Sequence, residues 1–123
     1  MYTCQKADEY IEKNRVDRAD KPEFHLTTPV GWLNDPNGFS IYGGKAHLFY
    51  QFHPYSTEWG PMHWGHSTSD DFIRWEELPT ALAPDSDYDA FGCFSGTAIE
   101  NDGKHVLFYT CLLYTSPSPR DTR

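Results

Sequence analysis

Gly31-Trp32-Leu33-Asn34-Asp35-Pro36-Asn37-Gly38 runs straight into Phe39-Ser40-Ile41-Tyr42-Gly43-Gly44-Lys45-Ala46-His47-Leu48-Phe49-Tyr50. The second half of this stretch reads as a β-hairpin. Strand-forming residues lead from Phe39 to Tyr42, Gly43-Gly44 supplies the turn, and a return strand runs from Lys45 to Phe52. The first half reads as a tight turn in which Pro36 presets φ, Asn37 tolerates positive φ and Gly38 closes the reversal. Asp35 sits in that turn with aromatic and amide side chains close by, a combination that suits a sugar-cleaving site. Any tight hairpin uses such residues, so taken alone Asp35 reads first as a plain turn residue.

The hairpin recurs. Gly103-Lys104-His105-Val106-Leu107-Phe108-Tyr109 aligns with Gly44 to Tyr50, and Gly96-Thr97-Ala98-Ile99 aligns with Gly38 to Ile41. The second hairpin is expected to run from Thr97 to Glu100, turn at Asn101-Asp102-Gly103, and return from Lys104 to Thr110, with a turn one residue longer than the first. A β-only repeat of this kind suggests propeller blades, units that cannot bury their faces without neighbours.

Ahead of the β region, Gln5 to about Arg18 reads as a surface helix, with Glu9 and Lys13 at the favourable i,i+4 spacing and Lys21-Pro22 as the stop. The 123 residues suit one modest domain, and the net charge is −8, from 10 basic and 18 acidic residues. A chain this acidic, with no basic cluster in its sequence, is a poor partner for nucleic acid or an anionic membrane. No apolar run approaches the length of a membrane span, and the first residues lack a signal-peptide core. Cys4 and Cys93 form neither a disulfide framework nor a metal-spaced pair, so a reduced, cytoplasmic setting is expected. Aromatics reach 16% of the chain, and most of Trp32, Trp59, Trp64 and Trp75 are assigned to packing.

Several islands keep a fixed order: Trp32 to Gly38, His47-Leu48-Phe49-Tyr50-Gln51, Trp59-Gly60, His63-Trp64-Gly65-His66-Ser67, and Phe94-Ser95-Gly96. Together they resemble glycoside hydrolase family 32, the invertase, levanase and inulinase family, across roughly Phe24 to Thr110. The run from Trp59 to His66 looks most like the bacterial sucrose and sucrose-6-phosphate hydrolases. The resemblance implies a five-bladed β-propeller followed by a β-sandwich. This all-β chain would supply the first blade and much of the second, behind a short N-terminal helix. Residues 1–22 are then the helical segment and residues 23–110 the N-terminal part of the catalytic propeller.

By the same resemblance Asp35 is the nucleophile of a retaining β-fructofuranosidase. Such an enzyme uses two carboxyl groups about 5–5.5 Å apart, one as nucleophile and one as acid then base. Asn34, Gln51 and Ser95 would hydrogen-bond sugar hydroxyls. Trp59 and Phe94 would form an apolar wall, and Trp32 and Leu33 would shape the pocket beside the nucleophile. The expected partner is a small sugar: sucrose, sucrose 6-phosphate or a fructo-oligosaccharide. No cofactor is implied. His63 and His66 form an H-x-x-H spacing, but without a helical H-E-x-x-H context or a third ligand it is weak evidence for a metal, and none is expected.

Two family motifs have no counterpart in this sequence: an Arg-Asp-Pro, whose Asp stabilises the transition state, and a Glu-Cys carrying the acid/base. Arg120-Asp121-Thr122 imitates the first but lacks the Pro. Glu58, Glu76, Glu77 and Glu100 lack the right neighbours, and Glu76-Glu77 and the run Asp85 to Asp89 read as solvated loop charge. Residues 111–121, from Cys111 to Asp121, are similar to one reading frame of a common transposase sequencing adapter, and residues 111–123 are expected to be a non-native tail. The expectation is therefore an enzyme fragment without activity of its own. Fructan hydrolysis, fructosyl transfer and a non-catalytic sugar-binding propeller are the competing readings.

Overall fold

Thr3 starts the helix. Its backbone is extended, and its hydroxyl accepts the Lys6 N–H at 3.1 Å, satisfying one of the free donors of the first turn. The computed structural model describes residues 1–111, and in it α1 spans Cys4–Asn14. The helix is shorter than its sequence pattern suggests. Arg15 turns extended, and the Val16 N–H leaves the helical ladder for the Pro29 carbonyl at 2.9 Å. A separate 3-10 turn, Arg18–Asp20, follows under an Asp17 cap, so the stop lies well before Lys21-Pro22.

Six strands follow: β1 (Trp32–Tyr42), β2 (Lys45–His53), β3 (His63–Ser69), β4 (Glu76–Leu82), β5 (Cys93–Asn101) and β6 (Lys104–Cys111). The first four form an antiparallel meander in the order β1-β2-β3-β4, and β5-β6 form a separate hairpin. The fold is all-β with a short N-terminal helix. Both expected hairpins are present. Gly43 and Gly44 have φ of 60° and 78°, and Asp102 and Gly103 have 51° and 74°, the two positive φ values that suit a tight hairpin to the strand twist. Tyr42 pairs with Lys45 and Asn101 with Lys104, so both loops have two residues. The extra residue of the second repeat lies in its strand, not in its turn. Cys111 pairs with Cys93 at the end of β6, and residues 112–123 of the expected tail lie outside the described residues.

β2 is the central element, and its two faces feed two cores. Phe49 packs with Trp64, Cys93 and Ala98 in the seam between the sheets, joined by Leu107 and Tyr109 of the second hairpin. Tyr50 and Phe52 pack with Ile11 of α1, flanked by Leu26, Val30 and Leu33. The helix also guards the sheet edge. On β4, which contains Pro79, the Thr80 N–H donates to Asp8 Oδ1 at 2.8 Å, so part of an edge that could recruit another strand is occupied. Glu77 of β4 pairs with Arg15 and with Lys21 (3.0 Å), which makes it a strap for the N-terminal segment rather than solvated loop charge.

Candidate active site

Asp35 does not lie in a turn. The pairing of β1 with β2 runs from Trp32↔His53 to Leu33↔Phe52, breaks, resumes at Pro36↔Tyr50 and Asn37↔Phe49, and breaks again before Ser40↔His47. Asp35 is exposed inside the first irregularity. Pro36, which has no N–H to donate, is tolerated there because the ladder is already interrupted. Positive φ belongs to Gly38 (56°) and not to Asn37. A bulged strand bends and re-aims its side chains, which serves a presented carboxylate as well as a turn would.

The opposing strand carries a matching irregularity. The register of β5 breaks between Cys93 and Gly96, and there Ser95 Oγ donates to Asp35 Oδ2 at 3.3 Å. The broken segment is anchored from behind. Trp64 Nε1 donates to the Phe94 carbonyl at 2.9 Å, and Thr110 Oγ1 donates to the Ser95 carbonyl at 2.9 Å. Trp59 is 57% exposed, and its ring lies 6.4 Å from that of Phe94, so a residue of the loop between β2 and β3 and a residue of β5 come together. Trp32 Nε1 donates to Asn34 Oδ1 at 2.8 Å, fixing the amide one residue before Asp35. Leu33 instead packs against the core cluster under the helix. Of the four tryptophans, Trp64 is fully buried and Trp59 is not.

Gln51 is more deeply placed than a simple sugar-binding role suggests. It is buried, and its amide donates to Asn37 Oδ1 at 2.8 Å and to the Cys93 carbonyl at 3.0 Å. Asn37, also buried, donates to the Pro36 carbonyl at 2.8 Å. A hydrogen-bonded chain therefore crosses the seam from the residue after Asp35 to the residue two before Ser95. Sequence reasoning gave Asn37 only a turn role, and no local signal marks it as a bridge.

Asp89 is not solvated loop charge. It is 2% exposed and accepts from Tyr109 Oη at 2.8 Å, from Cys93 Sγ at 3.5 Å and from the Ser86 N–H at 2.9 Å. Its neighbours Asp85 and Asp87 are exposed, as an acidic loop should be. Burial, and then the Asp89 carboxylate, push the Cys93 thiol and the Tyr109 phenol above their ordinary ranges, keeping both protonated as donors. His63 and His66 lie on opposite faces of β3 by strand alternation. His63 meets Tyr2 and Tyr55, while His66 stacks on Phe49, so they do not converge on one point.

Residues 25–120 match the glycosyl hydrolases family 32 N-terminal domain. The chain belongs to that family. The sucrose-6-phosphate hydrolase of Zymomonas mobilis is 54% identical over 89 residues, covering 72% of this chain and 17% of that protein. The levanase of Bacillus subtilis is 51% identical over 110 residues, covering 89% of this chain and 16% of that protein. Among solved structures, a family 32 β-fructofuranosidase from Bombyx mori is similar with a TM-score of 0.82 at 48% identity, covering 94% of this chain and 24% of that one. The family 32 chain described here thus spans about a sixth of the length of the two curated relatives.

Proposed function

We propose that this chain is the nucleophile-bearing part of a retaining β-fructofuranosidase, with Asp35 attacking the anomeric carbon of a terminal fructosyl unit. The observation that carries the reading is the juxtaposition of two strand irregularities, one presenting exposed Asp35 and the other Ser95, with the Trp59–Phe94 pair close by. An aspartate anchored by flanking bulges, and tied through Asn37 and Gln51 to the neighbouring sheet, keeps the attack geometry that covalent catalysis needs. Asn34 and Ser95 offer polar groups to sugar hydroxyls, and Gln51 acts beneath them as a brace. The repeated hairpins, packed face to face through the Phe49 seam, support a five-bladed propeller of which this chain forms the first blade and much of the second. The sucrose-6-phosphate hydrolase and β-fructofuranosidase relatives favour sucrose or its 6-phosphate as substrate, and the levanase keeps fructans beside them. The free thiols of Cys4 and Cys93 suit a reducing, cytoplasmic compartment.

The test is Asp35→Asn in a full-length enzyme carrying this segment. The amide preserves shape and lacks the attacking oxygen anion, so kcat should fall by about 10⁴-fold or more with the melting temperature nearly unchanged. A fructosyl adduct should be trapped on the peptide containing Asp35. Near-normal sucrose hydrolysis by the variant would falsify the assignment.

A further inference from the structure

A cavity of about 560 Å³ is not lined by Asp35, and none of its lining residues belongs to β1, β2, β5 or β6. It lies where the N-terminal segment straps across β3 and β4. Arg15, Arg18, Lys21 and Arg74 line it, against the carboxylates of Glu23 and Glu77. A chain of net charge −8 has thus brought four of its 10 basic residues to one concave surface, which is net positive.

The local pairing leaves that charge largely uncompensated. Glu77 is shared between Arg15 and Lys21, and the second carboxylate on Arg15, that of exposed Glu12, lies 3.9 Å away, where it contributes little. Among the described residues the Arg18 guanidinium donates to the Pro22 carbonyl, at 3.4 Å, and to no carboxylate. Arg74 is 91% exposed and meets Asp71 at 3.9 Å, a distance at which an exposed pair contributes little. Trp75 and Leu26 add an apolar wall beside the cations. The volume falls within the range of small-molecule sites, about 300–1,000 Å³.

The geometry points to a second binding site, separate from the Asp35 site, for a phosphate monoester with an apolar or ring-shaped body. Guanidinium groups engage phosphate oxygens through paired N–H donors, and an indole face covers a flat organic group. Because the cations come from both the N-terminal segment and the loop before β4, a bound dianion would tie that segment to the sheet. The site makes no use of Asp35 and stands or falls apart from the glycosidase reading.

The experiment is an amide-resolved NMR titration of the 123-residue chain with phenyl phosphate, inorganic phosphate and phenol, each at matched ionic strength. Saturable shifts should gather on residues 15–27 and 67–77, with phenyl phosphate binding more tightly than inorganic phosphate and phenol giving no saturable shift. Arg18→Gln combined with Arg74→Gln alters two exposed side chains and should weaken phenyl phosphate at least tenfold. Lys104→Gln, outside the cavity, should leave the affinity unchanged. Absence of saturable shifts, shifts reproduced by sodium chloride alone, or equal affinity in the double variant would each overturn the proposal.

Discussion

Phe49 and Phe108 occupy the same place in two hairpins of nearly the same sequence, yet Phe49 is 2% exposed and Phe108 is 58% exposed. Phe49 stacks on His66 at 4.0 Å and lies 5.4 Å from Trp64, with the second hairpin pressed against it. Phe108 and the equally exposed Ile99 belong to a hairpin that, among the described residues, forms a sheet of only two strands. A repeated unit can specify its own turn and strand pairing, but whether its apolar face is buried depends on what lies beside it. The first sheet has a neighbour on each face, a helix on one and a hairpin on the other. Among the described residues the second has one neighbour.

The sharpest way to break this comparison is to truncate both rings. Phe49→Ala should cost about 3–5 kcal/mol, because a packed seam collapses only partly around the cavity left behind. Phe108→Ala should change stability by less than about 0.5 kcal/mol and reduce self-association, since it removes an exposed apolar group. Urea denaturation and analytical ultracentrifugation check both. Equal losses in the two variants would mean that the second hairpin buries its face as the first does.

Acid should act next, and on the seam. His47, His66 and His105 meet there: His47 Nδ1 lies 2.9 Å from His66 Nε2, and the His47 and His105 rings are 4.8 Å apart. Ser40 bonds His105 at 2.8 Å, and Tyr42 stacks on it at 4.4 Å. Burial, followed by the neighbouring His47 and His105, pulls the His66 imidazole down to about 4, and burial and His47 lower His105. An unfolded histidine titrates near about 6.5. The depressed folded value means that stability is complete above about pH 6.5 and falls as pH drops toward about 4, because the unfolded chain takes up protons that the folded one excludes. His63, buried on the opposite face of β3 and also lowered to about 4 by burial, adds to the same trend. Denaturation midpoints across this range should decline, and less steeply in His105→Asn. A flat profile would contradict neutral His66 and His105.

The smallest effect separates two kinds of glycine. A Cβ at Gly38 would lie 2.7 Å from the Phe49 ring and 3.3 Å from Ala98, with φ at 56°, whereas nothing lies within 4 Å of one at Gly43. Gly38→Ala should therefore cost about 1–3 kcal/mol through overpacking and strain. Gly43→Asn should be neutral within about 0.5 kcal/mol, since asparagine accepts positive φ in such turns. Thermal melts of the two variants would show whether the close approach at the seam, rather than backbone conformation alone, requires Gly38.

What the sequence determined by itself was whatever depends on residues near one another along the chain. The presence of the N-terminal helix, the Gly43-Gly44 loop and the recurrence of that hairpin were legible because helical spacing and positive φ are local choices. The ordered islands around Asp35, Gln51, Trp59 and Ser95 identified the family for the same reason. The tertiary structure alone decided where those islands meet. Asp35 joins Ser95 through a bulge instead of a turn, and Gln51 becomes a brace through Asn37. Asp89 is buried under Tyr109 while its neighbours stay in water, and Arg15, Arg18, Lys21 and Arg74 turn a sequence without a basic cluster into a cationic cavity. Burial and electrostatic convergence are set by partners distant in the chain, and residue order alone does not specify those distances.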